Sequence, residues 1–116
     1  MFNIEKLIQA CNYLLKKSNG VQNYTKLIKL LYLADKESLK NSLQTITGDT
    51  YVSMDNGPVL SNLFDLIKGK YHGRAQNLWD SRFIRDGYDL VVATDRIPYG
   101  ELSGFEMKIL DDIYTV

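Results

Sequence analysis

A chain of 116 residues can bury a core without disulfide or metal, and 45% hydrophobic with 24% charged content is the make-up of a globular fold rather than a disordered one. Fourteen basic and fourteen acidic residues cancel, which removes the basic excess that phosphate binding wants, so nucleic acid is not favoured as a partner. The single Cys11 excludes an internal disulfide, no apolar run approaches the roughly 18 residues of a membrane span, and Met1-Phe2-Asn3-Ile4-Glu5-Lys6 lacks a secretory-signal layout, so a soluble cytoplasmic chain with no membrane partner is expected.

Ile4, Leu7, Ile8, Cys11, Leu14 and Leu15 recur at helical spacing and predict a first amphipathic helix, with Glu5, Lys6, Gln9, Asn12 and Lys16 outside its apolar stripe. Asn3 is placed to cap it, Lys16 and Lys17 suit the negative end of its dipole, and Ser18-Asn19-Gly20 stops it. Asn23 then caps a second helix running to about Leu43. Within it, Leu27, Leu30, Leu31 and Ala34 form one stripe, Tyr24, Ile28 and Tyr32 a second beside it, and Leu33 widens the apolar surface. A helix apolar over most of its circumference lies inside a fold, so this segment is expected to be the central buried helix. The short connection predicts that the first helix packs beside it, roughly antiparallel.

Thr47-Gly48-Asp49 reads as a turn and Tyr51–Met54 as a short strand. Asp55-Asn56-Gly57-Pro58 closes that strand, with Pro58 expected in the first turn of a third helix over Val59–Ile67 that Gly69 ends. Ala75–Asp80 reads as one helical turn, with Leu78 and Trp79 against the core. Phe83–Arg85 and Tyr88–Val92, separated by Asp86-Gly87, predict a tight hairpin. Thr94–Gly100 is a loop, and Ser103 with Glu106 makes a capping-box pair ahead of a last helix that carries Phe105, Ile109, Leu110, Ile113 and Tyr114. The pattern predicts one α+β domain over residues 1–116, mostly helical around its central helix, with a small antiparallel sheet that includes the hairpin near 83–92.

The chemical inventory is thin. His72 is the one histidine and falls in a polar loop, while Cys11 falls on an apolar stripe, so neither a zinc site nor an activated thiol is expected. Asp111 and Asp112 are adjacent and do not face each other on a helix, and no phosphate-binding glycine motif is present. The expectation is a non-enzyme with no cofactor and no metal. Lys68, Lys70, Arg74, Arg82 and Arg85, interleaved with Tyr71 and Trp79, form a local basic segment that resembles a weak nucleic-acid patch, set against ordinary basic helix ends and loops. Lys29, Tyr32 and Asp35 punctuate the central helix at three-residue spacing along one edge. That edge reads either as an ordinary wet rim or as a partly buried polar ledge near Tyr51–Pro58, open to a protein partner.

Three segments carry a resemblance. Lys26–Asp35 is similar to the "KLxKLLYLAD" helix of the Panacea family of SocA-like and GepA-like proteins; Ile46–Val52 resembles its "ITGDxYVA" segment; and Asn56-Gly57-Pro58-Val59, followed by Leu63, Asp65, Leu66 and Ile67, resembles "HGPVxxxLYDxIK". Order and spacing agree over about residues 4–70, and the hairpin and last helix fit more loosely. Two departures stand out: Asn56 replaces the family's histidine before Gly-Pro, and the family continues past the last helix whereas this sequence ends at Val116. The resemblance implies an antitoxin of bacterial and phage toxin–antitoxin pairs that neutralises a cognate toxin by direct binding. A second role that it implies is an adaptor that delivers a toxin to a ClpXP-type AAA+ protease, and a nucleic-acid-binding regulator using residues 68–85 stands third. For the binding role the candidate contacts are Tyr51, Met54 and Asn56, with Lys29, Tyr32 and Asp35 supporting the ledge. A second copy of the chain is a further partner that the sequence leaves open.

Overall fold

In the computed structural model, which describes residues 2–55, 57–94 and 96–115, Asn3 lies in extended conformation and its side chain accepts the Lys6 backbone N–H. Helix α1 (Ile4–Lys17) therefore begins where the capping residue predicts. Its burial is wider than one stripe. Leu7 through Asn12 are buried without a break, and Gln9 and Asn12, expected outside the stripe, are 2% and 0% exposed. Both are tied inside: Gln9 Oε1 accepts the Glu101 backbone N–H at 2.8 Å, and Asn12 Nδ2 donates to Tyr99 Oη at 2.7 Å, while Asn12 Oδ1 is buried with no partner among the described residues. Their amides hold the loop that precedes the last helix, a role that periodicity does not reveal.

Strand β1 (Val21–Asn23) leads into α2 (Tyr24–Ser42), where Asn23 Oδ1 accepts the N–H groups of Thr25 and Lys26 at 2.9 and 3.2 Å. One face of α2 is buried, from Tyr24 through Leu27, Ile28, Leu30, Leu31, Ala34 and Asp35 to Ser38. The helix packs against α1, β1 and three elements still to come in the chain, which makes it the hub of the fold. The opposite face is wet, and Leu33 there is 45% exposed. Burial around the whole circumference is thus truer of α1 than of α2. The helix ends at Leu43, in left-handed conformation at φ 62 and 84% exposed. A leucine there carries about 1 kcal/mol of strain with no compensating burial. Leu43→Gly is expected to raise unfolding stability by about 0.5–1 kcal/mol in a urea titration; an unchanged or lower midpoint would show that this strain is not present.

Strands β2 (Tyr51–Met54) and β3 (Gly57–Leu60) pair antiparallel, with Tyr51 opposite Leu60 and Met54 opposite Gly57. This corrects the reading of Pro58 as the first turn of a helix. Pro58 lies in β3 opposite Ser53, an edge position where its missing N–H is tolerated. Helix α3 (Ser61–Ile67) starts only after Leu60. Helix α4 (Gly73–Arg82) is longer than the single turn expected over 75–80; Asn77, Asp80 and Ser81 favour it weakly on their own, and it is anchored by Trp79, 2% exposed, whose ring centroid is 4.5 Å from that of Phe83.

The hairpin is present as β4 (Phe83–Asp86) and β5 (Asp89–Val92), but Gly87 and Tyr88 form its turn, because Asp86 pairs with Asp89. Gly87 has φ +62 and Tyr88 does not share a positive φ, which fits a type II′ turn with glycine in first place. β5 is the central strand of the three-stranded sheet β1-β5-β4, whose third strand, β1, was hidden between a helix stop and a cap. Helix α5 (Gly104–Tyr114) opens with the predicted capping box of Ser103 and Glu106 and lies against α1 and α2. Helices with small antiparallel sheets make this an α+β fold.

Candidate functional site

Three residues advance a helix by about 300°, so Lys29, Tyr32 and Asp35 each fall about 60° behind the one before. They run around α2 from outside to inside: Lys29 is exposed, Tyr32 half-buried, and Asp35 0% exposed. The three therefore do not form one ledge, and Asp35 cannot reach a partner. Its Oδ1 accepts the backbone N–H groups of Ile46 and Thr47 at 2.9 and 3.1 Å, and its Oδ2 accepts the Thr47 hydroxyl. Thr47 Oγ1 in turn accepts the Asp49 N–H at 3.0 Å. The Asp49 carboxylate accepts the N–H groups of Asn62 and Leu63, each at 2.9 Å, so it caps α3 from a distance where Leu60, the residue at the cap position, offers no side chain for the task. α2, the 46–49 turn and α3 are joined by one chain of polar contacts. Burial pushes both Asp35 and Asp49 above the usual carboxylate range, against the pull of the bonds that they accept.

Tyr51 lies beside this chain. Its ring meets that of Tyr32 edge to face, at 5.2 Å between centroids and 76° between planes. Its hydroxyl is buried with no hydrogen-bond partner among the described residues. Burial, reinforced by the nearby Asp35 carboxylate, pushes the phenol up to about 12.

Next to this pair a groove of about 370 Å³ opens between α2, the β2–β3 hairpin, α3 and the β4–β5 turn. It is lined by Ile28 and Lys29 from α2, Met54, Pro58 and Val59 from the hairpin, Phe64 from α3 and Tyr88 from the β4–β5 turn. Lys68 Nζ donates to the Tyr24 hydroxyl at 2.9 Å and stands over the rings of Tyr24 and Phe64, 5.0 and 5.5 Å from their centroids. The edge of the groove is apolar and open at Met54 and Tyr88, 46% and 75% exposed, and Val52, two residues before Met54 in β2, is 41% exposed.

Of the six candidate residues, Lys29 and Met54 line the groove, Tyr32 and Tyr51 pair beside it, Asp35 is enclosed beneath, and Asn56 lies outside the described residues. The sequence reading missed Phe64, Val59 and Tyr88, which converge only through tertiary packing; an exposed aromatic in a hairpin turn was the one available signal. The basic segment 68–85 does not assemble as a stacking platform, because Trp79 is buried against Phe83, Lys68 is held on Tyr24, and Arg82 turns to Glu5 at 4.0 Å. Among the described residues no group of three His, Cys, Asp or Glu side chains is placed to hold a metal ion, and no helix is long and apolar enough to cross a membrane.

The family model described as antitoxin SocA-like, Panacea domain, matches residues 27–116. The chain belongs to the SocA-like Panacea family. No curated protein and no solved structure matches it. The match takes in the hairpin and α5 of this Panacea domain, where the motif resemblance was looser, and begins inside α2, leaving α1 outside. The three motif segments meet at the polar chain just described: Asp35 belongs to the first, Thr47 and Asp49 to the second, and Asn62 and Leu63 follow the Gly57-Pro58 step of the third. The polar residues of these three segments hold the fold, and the open groove lies beside them.

Proposed function

We propose that this Panacea domain is the antitoxin of a toxin–antitoxin pair and neutralises its toxin by direct contact, over the β2–β3 hairpin and the adjoining edge of α2. The observation that carries the reading is the exposed apolar edge of the groove at Met54 and Tyr88, with exposed Val52 two residues before Met54 in β2 and the Tyr32–Tyr51 pair nearby. Apolar and aromatic anchors around a concavity are the parts of an interface that contribute most of its binding free energy. Membership of an antitoxin family supports the choice of a toxin as occupant. Tyr51 supports the same surface through its ring, which packs edge to face on Tyr32 beside the groove.

The test is co-expression in bacteria with the product of the adjacent reading frame. Survival of cells that otherwise die is the expected result, with the two proteins purifying together. Continued lethality at matched expression rejects the reading. Rescue accompanied by a shortened toxin half-life that depends on an AAA+ protease assigns the adaptor role instead.

A further inference from the structure

The outward face of α2 carries a row of lysines that runs well past the groove: Lys29 lines the groove and Lys36 stands 5.6 Å from the Tyr32 ring centroid, while the others have no such contact among the described residues. Lys26, Lys29, Lys36 and Lys40, all exposed, follow one another at spacings of three, seven and four residues, with Leu33 at the centre. This places them in one stripe about 21 Å long. Glu37 is the one acidic residue of that face, and its carboxylate accepts from the Asn41 amide at 3.0 Å. No carboxylate among the described residues makes an ion pair with any of the four lysines.

The arrangement is unfavourable for an isolated helix. Lys26 stands in the first turn, at the positive end of the dipole, and no acid is there to offset it. Lys26 with Lys29, and Lys36 with Lys40, are like charges at three- and four-residue spacing, where a solvated helix gains from opposite ones. The chain as a whole is neutral, so this is a local excess that the rest of the surface offsets. Leu33, 45% exposed, interrupts the stripe, and Leu39 and Leu43, 44% and 84% exposed, follow toward its end. Phosphate groups gain nothing from exposed leucines, whereas a protein surface does.

We infer that the outward face of α2 selects an acidic protein partner: a toxin surface whose carboxylates surround an apolar centre. The inference rests on the antitoxin reading and extends its contact area from Lys29 at the groove along the stripe to Lys40. Complementary charge of this kind sets the encounter rate and excludes wrong partners as well as adding affinity.

The experiment is a binding titration of the full chain with the product of the adjacent reading frame, at low and at about 0.5 M salt. Three chains are compared: wild type, the triple reversal Lys26→Glu, Lys36→Glu, Lys40→Glu, and Met54→Asp. The reversals lie on an exposed face, and the gain of Lys26→Glu at the helix start opposes the loss of Lys40→Glu at its end, so thermal midpoints should agree to within about 5 °C. We expect wild-type affinity to fall by about tenfold or more with salt, and the triple reversal to bind about a hundredfold more weakly at low salt. Equal binding by wild type and the triple reversal, with loss confined to Met54→Asp, overturns the acidic-partner inference and leaves the antitoxin reading standing. Absence of wild-type binding rejects both. Tighter wild-type binding to a DNA duplex of about 20 base pairs than to the toxin, lost in the triple reversal, also overturns the inference by assigning the stripe to phosphate.

Discussion

Replacing Asp35 with alanine is expected to destabilise the domain by about 3–5 kcal/mol. The loss is larger than that of one ordinary hydrogen bond because three donors converge on this carboxylate, namely the N–H groups of Ile46 and Thr47 and the Thr47 hydroxyl. All three belong to residues that are themselves buried, so water cannot replace the acceptor without the turn opening. An opened turn also displaces Asp49, which holds the first N–H groups of α3. Thr47→Val, which removes the hydroxyl alone, should cost about 1–2 kcal/mol by the same reasoning. Chemical denaturation with unchanged slope is the measurement, and a loss under about 1 kcal/mol for Asp35→Ala would show that the polar chain does not secure α2 to α3. A pH series gives a second readout. Burial raises the Asp35 carboxyl in the folded state, so the native chain binds its proton more readily than the unfolded one. Stability contributed by this group should grow as pH falls toward the ordinary aspartate value near 4, and be lost as pH rises through the folded-state value. Asp35→Ala should remove that part of the slope.

Met54→Asp is expected to act in the opposite way, leaving the fold intact and abolishing neutralisation. Met54 is 46% exposed at the end of a two-stranded sheet, so its replacement should change unfolding stability by no more than about 0.5 kcal/mol. In a bound complex the same substitution puts a desolvated charge where an apolar anchor stood, beside Val59 and Ile28. Truncation of a central anchor costs about 2–4 kcal/mol, and an unpaired buried charge costs no less, so affinity should fall by about 30- to 1,000-fold. Co-expression survival and the thermal midpoint, measured on the same variant, separate the two effects. A Met54→Asp chain that still rescues as wild type does would move the contact surface away from the hairpin.

Much of this fold was legible from local chemistry. Asn3, Asn23 and the Ser103–Glu106 pair announce three helix starts because a cap is a contact between neighbours in sequence. The failures have a common physical cause. Gln9 and Asn12 are polar, and their burial depends on a loop some 90 residues away. Proline suits a first helical turn as well as an edge strand, and only pairing with β2 places Pro58 in the latter. Strand β1 is three residues long and exists because β5 lies beside it. The same division applies to the candidate site. Lys29, Tyr32, Tyr51 and Met54 come from neighbouring segments and lie in or beside the groove, whereas linear spacing alone ignores the 60° lag that carries Asp35 inside. Phe64 and Tyr88 come from distant segments and could be found only in the folded chain.

Direct calorimetric titration of the purified chain with the product of the adjacent reading frame tests the central claim, that this Panacea domain neutralises by contact through the hairpin and α2. One saturable site is expected, with a dissociation constant at or below about 1 μM for the wild type and lost in Met54→Asp. Rescue of growth by a wild-type chain that shows no binding to the toxin would contradict it.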